Sequence, residues 1–297
     1  MLRMRYLGRL VGLPSPSAVA GLLCLLALPV ASAGAETSPR VVTLAPHITE
    51  MVFAAGAGPT LVGTVISSDH PQRARTLPKV GDGATHISME RLAALAPSLV
   101  LAWQDSGAVA AAAPILHELG IPLEFVTPAR LDDIPDYIER LGSRLGTPLQ
   151  AREAAAEKRA ELQALRHRYA RRPPVSVFIE VGHVPLYAAG SDPLLNDALE
   201  TCGGINIFAD SQLAALPVGP EHILSRHPDV IIVAQAGRQR TQQAAKRWAA
   251  LGLGTGSTRL YNIDPDTLFR PGPRLLDATR NLCEMLEDAR TNAGHQE

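Results

Sequence analysis

The sequence lacks an excess of charge of either sign. Its 28 basic and 29 acidic side chains leave a formal net charge of −1 with no basic stripe, which argues against a nucleic-acid partner. Long apolar runs are confined to the amino terminus, so no later segment suits a membrane span. Motifs for covalent or phosphoryl chemistry are also missing. There is no G-x-S-x-G elbow, no P-loop and no G-x-G-x-x-G after a strand. The close pair His47 and Glu50 lacks the rest of a zinc signature, and the glycine-rich 252–256 segment lies between a helix and a strand, where a loop is expected. These absences point to a binding module that is not an enzyme and carries no cofactor.

Residues 1–33 have the pattern of a signal peptide. Arg3, Arg5 and Arg9 make a basic start, Ala18 to Val30 is apolar but too short to span a bilayer, and Ala31-Ser32-Ala33 is a small-residue cleavage site. Gly21-Leu22-Leu23 before Cys24 does not suit lipid attachment, so a soluble, exported, periplasmic protein is expected. Of three cysteines, Cys202 and Cys283 remain after cleavage. In an oxidising compartment they most simply form one disulfide, two separate buried thiols being the alternative.

A stretch that occurs twice organises the rest. Ser88-Met89-Glu90-Arg91-Leu92 leads through Pro97 into Leu99 to Ala102, and Gly219-Pro220-Glu221-His222-Ile223 leads through Pro228 into Val230 to Val233. Each copy reads as a short helix with a glutamate in its first turn, ended by proline and followed by a buried parallel strand. Either the two halves are built alike, or these are two unrelated helix–strand units. Between them, Pro148 to Tyr169 is one amphipathic helix with Ala151, Ala155, Leu162, Leu165 and Tyr169 on its apolar face. Arg171-Arg172-Pro173-Pro174 stops it, and its composition is that of a rigid strut rather than a flexible tether.

The fold class expected is therefore α/β: two Rossmann-like lobes with mainly parallel sheets, joined by one long rigid helix, with the ligand cleft between them. The segments are a first lobe at 34–147, the linking helix at 148–172, a second lobe at 173–290 and a disordered tail at 291–297. The first lobe begins with strand Arg40 to Leu44 and a helix from Thr49, and the last helix runs from Leu275 to Asp288. Ligands of such sheets bind at the carboxyl ends of strands. Those ends carry Pro46 and His47, Ser68-Asp69-His70, Thr85-His86, Trp103-Gln104-Asp105, His183, and Phe269-Arg270.

Taken together, Arg40 to Pro46, Ser68-Asp69-His70-Pro71, the Glu90 unit through Trp103, Glu200 to Phe208, and Arg270 to Arg274 resemble the periplasmic vitamin B12-binding proteins of bacterial cobalamin ABC importers. The resemblance covers nearly all of the mature chain. It implies cobalamin or a related corrinoid as transported ligand, held between lobes that move little, and a monomer when free. It implies docking of Glu90 and Glu221 into arginine pockets of the importer's transmembrane permease, and a disulfide between Cys202 and Cys283. Trp103 would stack on the corrin ring, core packing being its alternative, and Arg270 would bond an amide or the nucleotide phosphate. Where that family often carries aromatics, this chain has Ser67, His70, Ala84, Thr85 and Val181. Haem or a ferric siderophore is thus an alternative ligand, and His70 a candidate axial ligand to a bound chelate. A free metal ion held by His47, His70, His86 and His183 is a third reading.

Overall fold

The computed structural model describes residues 38–104, 107–254 and 258–293. The expected signal segment, Asp105 and residues 294–297 lie outside the described residues.

The chain runs β1 (Val41–Thr43), α1 (Pro46–Ala54), β2 (Leu61–Gly63), α2 (Met89–Ala94), β3 (Leu99–Ala102), α3 (Gly107–Glu118), β4 (Leu123–Phe125) and α4 (Asp133–Leu145). The long helix α5 (Pro148–Tyr169) follows. Then come β5 (Val175–His183), β6 (Leu186–Ala189), α6 (Pro193–Thr201), β7 (Gly204–Asn206), β8 (Ala215–Pro217), α7 (Pro220–Ser225), β9 (Val230–Ala234), α8 (Arg238–Ala250), β10 (Arg259–Ile263), α9 (Pro265–Leu268) and α10 (Pro273–Ala293). The last helix outruns its expected end at Asp288, so residues 291–293, expected in the tail, are helical.

The first sheet is parallel, in the order β2-β1-β3-β4. The second has the order β10-β9-β5-β6-β8. Its β9, β10 and β7 pair in parallel with their neighbours, whereas β6 and β8 add an antiparallel edge. That edge exists because β5 is nine residues long. Its first residues, Val175 to Val177, pair with β7, and its last, Glu180 to His183, extend beyond to pair with β6.

The repeat seen in the sequence is a structural repeat. In the first lobe α2 ends at Ala94 and β3 then lies beside β1; in the second α7 ends at Ser225 and β9 lies beside β5. The joints match in detail. The Ser98 hydroxyl accepts from the backbone N–H of Arg40, and the Asp229 carboxylate accepts from that of Ser176. Ala96 and His227 each take a left-handed conformation, with φ of 43° and 46°, just past the helix end, a position that favours glycine. Ala96→Gly is therefore expected to raise stability by about 1 kcal/mol, measured by equilibrium denaturation.

Strand alternation distributes the core. Val42, Val100 and Ala102 pack under α2 and α3, and Phe178, Ile231 and Val233 pack with Ile223 and Trp248. The opposite faces, Val41, Leu99 and Leu101 in one lobe and Val177, Ile179, Val230 and Ile232 in the other, belong to one continuous apolar cluster with α1, α4, α5, α6 and α10. The apolar face expected for α5 is the face it buries. The helix lies along α4: Arg159 pairs with Asp136 at 2.7 Å and Glu139 at 2.8 Å, and Arg166 with Asp132 at 2.8 Å. A shared core of this kind resists wholesale lobe movement, because opening it would expose apolar side chains from both sheets.

Candidate ligand cleft

Trp103 stands at the carboxyl end of β3 with 37% of its surface exposed, and it belongs to two hollows. One, of about 220 Å³, lies within the first lobe against Pro46, Ser67, Ala84 and Gln104. The other, of about 60 Å³, is formed with second-lobe residues including Leu195, Leu268, Phe269 and Pro271. Trp103 therefore meets the space between lobes and is not a core residue. Gly83 shapes the first hollow: at φ 80° its Cα passes so close to the end of β1 that a Cβ would lie 2.2 Å from the Leu44 carbonyl oxygen. The Asp82 carboxylate holds the adjoining turn by accepting from the backbone N–H groups of Ala84, Thr85 and His86.

Several residues expected to face the ligand do not. His47 is only 2% exposed and lies beneath Trp103, ring edge to ring face, with centroids 5.1 Å apart at 82°. Its Nε2 has no hydrogen-bond partner among the described residues. Ser68 is buried in a hydroxyl cluster, 2.6 Å from Thr64 and 2.9 Å from Thr49. Both are supports of the cleft rather than its lining. The reason is local geometry: the chain turns into α1 at Pro46, one residue before His47, which points the ring back under the strand end.

Arg270 is present at the cleft but occupied. It donates to Asp69 at 2.6 Å and pairs with Asp266 at 2.8 Å. Beside it Arg274 makes a two-pronged contact with Glu50, at 2.6 and 3.0 Å, and Glu50 is 4% exposed. The Arg270–Asp69 and Arg274–Glu50 pairs fasten the 270–274 loop of the second lobe to α1 and the Ser68–His70 loop of the first. Gly272 lets that loop seat closely, since a Cβ there would come within 3.0 Å of His47. Partial burial pushes the Asp69 carboxyl up, but the hydrogen bond and charge of Arg270 outweigh it and hold it below the usual carboxylate range. Glu50 and Arg274 were not expected to form this pair; the one signal available was a glutamate set within the apolar run of α1.

Burial first, then the charge of Arg270, lower the pKa of His47 to about 3 from 6.5. The folded value lies below the unfolded one, so this contribution to stability is present above pH 6.5 and is lost as the pH falls towards 3. About 2 kcal/mol should be gone by pH 5. Denaturation of the wild-type protein and of His47→Leu at pH 8 and pH 5 checks this, the variant losing the difference between the two pH values.

His70 and His86 are exposed on their loops, and His183 is exposed as the last residue of β5 with its Nδ1 3.5 Å from Gln235 Nε2. Among the described residues no three histidine, cysteine or acidic side chains come together as a metal site, so the free-ion reading finds no convergent ligand set. Phe269 is half-buried in the second hollow. Glu180, which no sequence motif marks, is buried near the end of β5, three residues before His183, where it accepts from Trp248 Nε1 at 2.7 Å and Arg247 at 2.5 Å.

Residues 41–249 match the family described as periplasmic binding protein. The chain belongs to that family. It is 35% identical over 274 residues to the vitamin B12-binding protein of Yersinia pestis (strain Pestoides F), covering 92% of this chain and 94% of the relative. Among solved structures it is similar to the periplasmic vitamin B12 binding protein of Vibrio cholerae, with a TM-score of 0.76 and 31% identity over 85% of this chain and 98% of that one. A periplasmic heme-binding protein from Roseiflexus sp. RS-1 gives a TM-score of 0.73 and 28% identity over 85% and 99%.

In this binding protein both repeat glutamates are exposed at helix starts. Ser88, which caps α2, bonds to Val80 at the carboxyl edge of the first sheet, and Val218, just before α7, bonds to Leu186 beside the carboxyl end of β5. Glu90 and Glu221 thus open equivalent helices in the two lobes. The Cys202–Cys283 disulfide is formed and joins the end of α6 to α10.

Proposed function

We propose that this chain captures cobalamin or a related corrinoid between its lobes in the periplasm, after loss of residues 1–33, and hands it to the transmembrane permease of an ABC importer. The observation that carries the reading is the likeness to vitamin B12-binding proteins over nearly the whole chain. Trp103, half-open between two hollows, supports it by offering a ring face to a flat macrocycle. Haem is the second reading, favoured by the likeness to a heme-binding structure and by the scarcity of cleft aromatics.

Titration of residues 34–297 with cyanocobalamin, cobinamide and haemin, by calorimetry with visible spectra, separates the two. Tight one-to-one binding of a corrinoid supports the first reading, and haemin binding alone replaces it with the second. A spectral change on corrinoid binding that is lost in His70→Ala would make His70 an axial ligand; an unchanged spectrum and affinity would remove that role.

Glu90 and Glu221 are the contacts proposed for the permease, each an exposed carboxylate suited to an arginine pocket. Glu90→Ala and Glu221→Ala should leave ligand affinity within about twofold while cutting uptake about tenfold, and reversal of both charges should cut it further. Equal loss of affinity would show that these residues belong to the ligand site instead.

A further inference from the structure

At the carboxyl ends of β5 and β9 lies a separate hollow of about 180 Å³. It is bounded by Glu180, His183, Gln235, Arg240 and Pro265, with the small side chains of Ala234 and Ala236 leaving it open. Two of these carry a permanent charge of opposite sign, and their situations differ. The Glu180 carboxylate is already neutralised, accepting from Arg247, Trp248 and, at 3.4 Å, the amide of Gln235. Arg240, exposed in the first turn of α8, has no carboxylate or hydrogen-bond partner among the described residues. The unbalanced charge facing the hollow is thus a guanidinium, whose planar fork fits phosphate or carboxylate oxygens. Gln235, tied to Glu180 and in contact with His183, is held in one orientation beside it.

This hollow adjoins the Trp103 cleft. Helix α9 separates them, Pro265 lining one side and Leu268 the other. Its four residues are about 6 Å long, short enough for a substituent of a macrocycle seated at Trp103 to reach across.

We infer that this second-lobe hollow is the subsite for an anionic substituent of the ligand, with Arg240 supplying the charge. The inference rests on the corrinoid reading above, under which the anion is the nucleotide phosphodiester of cobalamin. Cobinamide lacks that group, so Arg240 would set the preference between the two. Under the haem reading the same chemistry would be met by a propionate.

The test compares wild type, Arg240→Ala, Arg240→Glu and, as a control outside the hollow, Arg238→Ala, each titrated with cyanocobalamin, dicyanocobinamide, haemin and haemin dimethyl ester. The expected result is about tenfold weaker cyanocobalamin binding in Arg240→Ala, a larger loss in Arg240→Glu, and cobinamide affinity within about twofold throughout, as with the control. Unchanged cyanocobalamin affinity, or equal losses for both corrinoids, would overturn the subsite while leaving corrinoid capture standing. If the wild-type protein binds haemin alone, the corrinoid reading fails. The subsite then survives only if Arg240→Ala weakens haemin and spares its dimethyl ester.

Discussion

Arg274→Ala should cost roughly 3 kcal/mol of folding stability, the lower end of what breaking a buried ion pair costs. The magnitude follows from what is left behind. Glu50 is almost fully buried, and its two carboxylate oxygens are held by the two prongs of Arg274. With the guanidinium gone, the charge would face an apolar helix on one side and Arg270 on the other, whose nearest nitrogen is 3.9 Å away and already pairs with Asp69. That residual partner keeps the cost from the top of the range. Lysine at 274 would restore a charge without the fork and recover only part of the loss. Because the apolar cluster is continuous through both lobes, the loss should register in one cooperative denaturation transition. A loss under about 1 kcal/mol for Arg274→Ala would mean that Glu50 is relieved by water or by Arg270, and that the loop is fastened by packing alone.

The sequence made the strongly periodic parts of this molecule legible. All five residues expected on the buried face of α5 are there, because a helix of that length repeats its pattern often enough to be read. The twin helix–strand units were equally readable, since Pro97 and Pro228 fix where each helix stops. The antiparallel edge β6 and β8 was not visible: these strands have four and three residues, and half of their partners come from the overhanging end of β5. Helix α4 is hard to read because Pro135 and Gly142 interrupt its pattern, although Pro135 falls in its first turn, where proline is tolerated. At the cleft, strand ends located the right loops but not the direction of each side chain. Trp103 and Phe269 face the hollows, whereas Ser68 and His47 turn inward. Arg270, read as a ligand contact, is already engaged by Asp266 four residues before it and by Asp69, the latter a pairing across 201 residues that no local pattern encodes.

Removing the disulfide should cost about 4 kcal/mol, the largest single effect expected here. Cys202 and Cys283 are 81 residues apart, and a closed loop of that length restricts the unfolded chain by about that amount. The bridge spans most of the second lobe, from the end of α6 across β7 to β10 and into α10. Both cysteines are fully buried within the cluster shared by the lobes, so a paired replacement by alanine also removes packed sulfur. The neighbourhood is reinforced independently by Arg290, which donates to the carbonyls of Pro173 and Cys202, both at 2.8 Å. For that reason the Cys202→Ala/Cys283→Ala protein should still fold at low temperature and keep its ligand affinity within about threefold, the cleft being built from other elements. Denaturation of the oxidised, reduced and double-alanine forms measures the effect. The reduced form should fall well below the oxidised protein, and the alanine form at or below the reduced one. A reduced form as stable as the oxidised one would mean that α6 and α10 are held by packing and by Arg290, and that the bridge adds nothing the fold lacks.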